Sequence, residues 1–61
     1  MDNKEKYEGK TVMIFSPTGR QLGRLRVEEV LGNNVLYGVI PELEIETAYY
    51  LSDGIHVVCE S

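Results

Sequence analysis

Gly19-Arg20-Gln21-Leu22-Gly23-Arg24-Leu25-Arg26-Val27-Glu28-Glu29-Val30-Leu31 is the stretch whose reading decides the fold. A strict strand alternation places Leu22 and Val30 on one face and Leu25 and Val27 on the other, a poor period of two. A helix fits no better, because Gly23 and the β-branched residues oppose it. One extra residue at Gly23 and another near Glu28-Glu29 resolve the conflict. With those two bulges Leu22, Leu25, Val27 and Val30 all turn inward, and Arg24, Arg26 and Glu28 face water. The expectation is a long strand bent twice, the means by which a small sheet wraps a core.

The flanking segments read as shorter strands. Upstream, Thr11-Val12-Met13-Ile14-Phe15 is rich in strand formers, and Ser16-Pro17-Thr18-Gly19 has turn chemistry, with proline presetting φ and glycine admitting φ > 0. Downstream, Gly32-Asn33-Asn34 marks a tight turn. Val35-Leu36-Tyr37-Gly38-Val39-Ile40 follows, apolar on both faces, and Pro41 ends it. Glu42-Leu43-Glu44-Ile45-Glu46-Thr47 alternates cleanly, which predicts Leu43 and Ile45 inward and three glutamates outward. Residues 47–51 either prolong that strand or make one helical turn. Ser52-Asp53-Gly54 is a further turn, and Ile55-His56-Val57-Val58-Cys59 the last strand. The expected fold is all-β: five short antiparallel strands in a strongly bent sheet that closes into a small SH3-like barrel, with no helix. Residues 1–8 are expected to be a flexible, solvated lead-in with Tyr7 against the domain edge, and residues 9–61 the single domain.

With 61 residues the chain forms one domain at most, and a domain of this size buries only about 60% of the surface its unfolded chain exposes. Small domains commonly add disulfides, a metal or self-association. A single cysteine, Cys59, rules out an internal disulfide, and one histidine leaves no zinc set of ordinary spacing, so no cofactor is expected and association is the remaining aid. The start of the chain carries no apolar leader and no window is long enough to span a bilayer, so a reducing, cytoplasmic setting away from the membrane is expected. The net charge of −4 is unevenly spread: six basic and three acidic residues precede Val27, and seven acids with no Lys or Arg follow.

Gly9-Lys10-x-Val12, the Gly19 turn, Leu22-Gly23-Arg24-Leu25 and Glu28-x-Val30-Leu31 resemble the first half of PRC-barrel domains and, more loosely, SH3-like barrels such as the KOW-containing domains. The resemblance covers residues 9–40. It implies a non-enzymatic module that binds partner proteins or RNA-processing machinery.

Catalysis has few candidates. His56 and Cys59 lie three apart on one strand, so they point to opposite faces and do not form a nucleophile–base pair. Glu42, Glu44 and Glu46 on one strand face can ligate a hard cation, but a solvated outer face is the simpler expectation. Pro17 to Gly23 has two glycines and no GK[ST] ending, so it is a turn and not a phosphate loop. Lys10, Arg20, Arg24 and Arg26 are the candidates for phosphate contact, with RNA or single-stranded DNA as the ligand and a tyrosine as stacking surface. The overall acidity, with a pI near 4.8, and the adjacent Glu28 and Glu29 oppose that.

Surplus apolar side chains point to protein contact instead. Met13, Phe15, Leu36, Tyr37, Tyr49 and Tyr50 exceed what the inside of so small a barrel holds, and an exposed aromatic-aliphatic patch marks a protein interface. The expected function is a non-enzymatic protein-binding module that pairs with itself, as a homodimer or higher, and with another protein, its acidic C-terminal part steering a basic partner. A short acidic chain of this kind is also what a phage or mobile-element protein that blocks a host factor looks like.

Overall fold

A computed structural model describes residues 3–60. Its five strands are β1 (Thr11–Phe15), β2 (Gln21–Leu31), β3 (Val35–Ile40), β4 (Ile45–Tyr50) and β5 (His56–Cys59), all antiparallel neighbours in one sheet of order β4-β3-β2-β1-β5. A short helix α1 (Asn3–Tyr7) precedes them, and a 3-10 turn (Leu51–Asp53) joins β4 to β5. The fold is mostly β, as the sequence predicts.

Both predicted bulges are present. Between β1 and β2 the register slips where Ile14 faces Gly23 and Phe15 faces Gln21, so Leu22 is the extra residue. Between β2 and β3 it slips where Val27 faces Gly38 and Glu29 faces Tyr37, so Glu28 is extra. Leu25, Val27 and Val30 thereby point inward together. Leu22 does not: it is 45% exposed, because Gly23, at φ +144°, takes the inward position opposite Ile14 and pushes its neighbour out.

The core comprises Tyr7, Val12, Ile14, Leu25, Val27, Val30 and Leu36, with Tyr49, Leu51, Ile55 and Val57 packed against it. Gly38 lies buried where β3 crosses β2. A Cβ there would collide with the Arg26 carbonyl oxygen and lie 2.9 Å from its carbon and 3.0 Å from Val27 Cα, so only glycine lets the two backbones approach this closely.

Two expectations are corrected and one open alternative is resolved. The lead-in is helical over residues 3–7 and Tyr7 belongs to the core, while Met1 and Asp2 lie outside the described residues. Local charge concealed the helix, which tertiary contacts hold: Asn3 N donates to Asn33 Oδ1 (2.8 Å) and Asn3 Nδ2 to the Asn33 carbonyl (3.0 Å). The run from Glu42 to Thr47 is not one strand. After Pro41 the amides of Leu43 and Glu44 turn back onto the Ile40 carbonyl, and Glu44 takes φ +54°, so β4 starts only at Ile45. Leu43 is therefore a turn residue, 63% exposed, and Ile45, although in phase with the inner face, is 52% exposed at its open rim. Residues 47–51 divide: 47–50 continue β4 and Leu51 opens the 3-10 turn.

The Gly32-Asn33-Asn34 turn does more than reverse the chain. Gly32 and Asn33 both take positive φ, +57° and +59°, in the three-residue loop between Leu31 and Val35, a conformation that glycine and asparagine accept most readily. Asn33 then caps α1, while Asn34 accepts from Leu51 N (2.8 Å) through its carbonyl and from Ser52 N (2.9 Å) through Oδ1. One turn thus anchors the N-terminal helix and the β4–β5 connection. Glu8 completes the tie at the second bulge, its Oε2 accepting from Val30 N at 3.4 Å.

Candidate binding surfaces

The sheet register sorts the candidate residues by face. On β1, Val12 and Ile14 point inward, while Thr11, Met13 and Phe15 point outward; on β3, Leu36 and Gly38 point inward, while Val35, Tyr37 and Val39 point outward. Tyr49 lies opposite Leu36 and shares its inward face, whereas Tyr50 lies opposite Val35 on the outer face. Leu36 is fully buried and serves the interior, while Tyr49 is half-buried and packs against the core from the same face.

What remains outside forms two apolar strips. One runs across β2, β3 and β4 as Leu31, Val35 and Tyr50, with Tyr37 and Ala48 in the next row. The other runs across β1 and β5, where Met13 faces Val58 and Phe15 faces His56. Tyr50 is 49% and Val58 53% exposed. Leu31, Val35 and Val58 were not candidates from sequence. Alternation within the last strand, with His56 and Val58 on one face, is the signal that finds Val58.

Between the strips lies a charged band. Arg24 donates from Nη1 to Glu42 Oε2 (2.6 Å) and from Nε to Glu60 Oε2 (3.0 Å). Glu42 sits in the β3–β4 turn and Glu60 just after β5, so one guanidinium on the central strand links structure from both sides of the sheet. Both hydrogen bonds favour the charged guanidinium, Glu60 first and Glu42 second, and raise its pKa further above an already high ordinary value.

That clamp disperses the basic set. Arg26 lies opposite Thr11, near Lys10, whose carbonyl accepts from Val27 N (2.9 Å). Arg20 lies at the other end of β1, where its amide donates to Ser16 Oγ (3.0 Å). Arg24, between them, already holds two carboxylates.

The three glutamates of the expected row are likewise separated: Glu42 and Glu44 are in the turn and Glu46 is on β4. Among the described residues no three His, Cys, Asp or Glu side chains gather as a metal site. His56 lies opposite Phe15 on the outer face and Cys59 opposite Val12 on the inner, where its thiol donates to the Lys6 carbonyl at 3.7 Å. The pair is split as the strand period requires.

Glu46 finds a different partner. Hydrogen bonding to its carboxylate, then its charge, then partial burial and the charges of Glu28 and Glu29 raise the pKa of the Tyr37 phenol above its ordinary value of 10. A folded-state pKa above the unfolded value means that this contribution to stability is complete below pH 10 and is lost as pH rises through the higher folded value. Ultraviolet difference titration of the protein against Tyr37→Phe is expected to assign Tyr37 a tyrosinate transition above pH 10. A transition at or below pH 10 would show that the bond does not form in solution.

No protein-family model, curated protein or solved structure matches the chain.

Proposed function

We propose that this chain is a non-enzymatic protein-interaction module that associates with itself and with a second protein. The observation that carries the reading is the apolar character of the outer face. A sheet with one buried face ordinarily alternates apolar inside and polar outside. Here Met13, Phe15, Val58, Leu31, Val35 and Tyr50 occupy outward positions, and rings and aliphatic chains left at a surface are the usual anchors of protein contacts. The acidic residues around Tyr37 add selectivity for a basic partner, since complementary charge governs encounter more than affinity.

The architecture assists this role. A strand bent at two bulges folds the two halves of the sheet over one core, which supports the reading of a small SH3-like barrel, related to PRC-barrel domains in the pattern of residues 9–40. The splitting of His56 from Cys59 favours binding over catalysis.

The test is capture of partners from lysate by the wild-type chain and by Leu31→Ser with Tyr50→Ser, with and without nuclease and across a salt series. Capture that survives nuclease, weakens little with salt and is lost in the variant supports the proposal. Capture abolished by nuclease and falling steeply with salt would instead support phosphate recognition through Lys10, Arg20 and Arg26.

A further inference from the structure

We infer that β5 is the self-association edge, and that two copies pair antiparallel through it about a two-fold axis at Val58. The inference rests on the self-association reading above and specifies its geometry.

The order β4-β3-β2-β1-β5 leaves two edges, and backbone polarity determines which residues each one offers. Glu60 N donates to the Thr11 carbonyl (3.0 Å), and hydrogen-bonded positions alternate along an antiparallel ladder. His56, Val58 and Glu60 therefore direct their amide and carbonyl groups toward β1. Val57 and Cys59 direct theirs away from the sheet. By the same logic, the bond from Leu51 N to the Asn34 carbonyl (2.8 Å) leaves Glu46, Ala48 and Tyr50 as the outward-directed residues of β4.

A two-fold axis normal to the sheet keeps the inner face of each copy continuous with that of the other. Centred on Val58, it pairs Val57 of one copy with Cys59 of the second in hydrogen-bonded positions, and the reverse. On the outer face Val58 meets Val58 of the second copy, flanked on each side by His56 of one copy opposite Glu60 of the other. The strand is self-complementary: apolar at the centre, with an imidazole facing a carboxylate at each end. Arg24 occupies Glu60 Oε2, and Oε1 is the oxygen that meets His56 of the second copy.

The pairing also joins the apolar strips. Met13 lies opposite Val58 in each copy, so the row becomes Met13, Val58, Val58, Met13 across the new ten-stranded sheet. β5 itself carries no Lys, Pro or internal bulge, so of the devices that normally protect an edge strand it has shortness, four residues, and not these. The β4 edge is a poorer choice. A two-fold axis at Ala48 sets Glu46 of each copy opposite Tyr50 of the other, so that edge offers no oppositely charged pair. A strand pair of this length buries little surface, so the dimer is expected to depend on concentration.

Cysteine cross-linking tests the assignment. Residues facing each other at a non-hydrogen-bonded antiparallel position have Cα atoms about 4.5 Å apart, within disulfide reach. Val58→Cys in a Cys59→Ser background is expected to convert largely to a covalent dimer under mild oxidation, while Ala48→Cys in the same background stays monomeric. Val58→Lys, which sets two ammonium groups face to face, is expected to weaken dimerisation about tenfold or more while the circular dichroism of the monomer is unchanged. An oligomer by light scattering that cross-links through Ala48→Cys and not Val58→Cys would overturn the β5 assignment and leave self-association standing. A monomer at millimolar concentration would remove both.

Discussion

Gly38→Ala is expected to lower stability by about 3 kcal/mol or more, the upper end of what overpacking a well-filled interior costs. The cause is the backbone: the three atoms nearest the added Cβ belong to the main chain of Arg26 and Val27, so no side-chain rotamer relieves the clash. The β2–β3 ladder must separate at the point where the sheet bends. For a domain of this length, total stability at the usual per-residue value is about 3–9 kcal/mol, so the substitution removes a large part of it or all of it. Denaturant titration followed by far-ultraviolet circular dichroism measures the loss. A midpoint within about 0.5 kcal/mol of wild type would mean that β2 and β3 do not approach as described.

Leu36→Ala comes second, at about 2–5 kcal/mol, through lost apolar transfer and the cavity left behind. Its side chain is wholly buried opposite Val30 and Tyr49, with no solvent-facing side from which the site can refill. The experiment also separates core from interface. If Leu36 were a contact residue, its truncation would weaken binding and leave the melting temperature alone; a core residue does the reverse, which is the expected result. Tyr50→Ala, at an exposed outer position, is expected to change stability little and binding more.

The bent strand was legible because two glycine or polar positions interrupted its alternation, and only a bulge at Glu28-Glu29 brought Val30 to the side that Leu25 and Val27 already shared. Leu22 defeated the same reasoning. Sequence indicates that an extra residue exists near Gly23, but not whether the glycine or its neighbour is the one displaced. The segment after Pro41 was misleading for a related reason: Glu42 to Thr47 alternates perfectly, yet a turn held by two amides on one carbonyl occupies its first half. Periodicity over six residues does not distinguish a strand from a turn running into one.

The candidate surface was legible in composition and not in position. An excess of apolar residues required some to lie outside, but Leu36, Tyr37, Tyr49 and Tyr50 could be sorted only once the register was known. Alternation then placed Tyr37 and Tyr50 outward and the other two inward. The Arg24 clamp depends on Glu42 and Glu60, 18 and 36 residues away along the chain, a separation that no local pattern reveals. The capping of α1 by Asn33 is hidden in the same way, 30 residues from Asn3.

Sedimentation equilibrium of the untagged protein across a wide concentration range tests self-association through the outer face and β5 most directly. The prediction is a reversible shift from 6.9 kDa toward twice that mass as concentration rises, displaced to about tenfold higher concentration or more by Val58→Lys. A mass fixed at 6.9 kDa up to millimolar protein would contradict it.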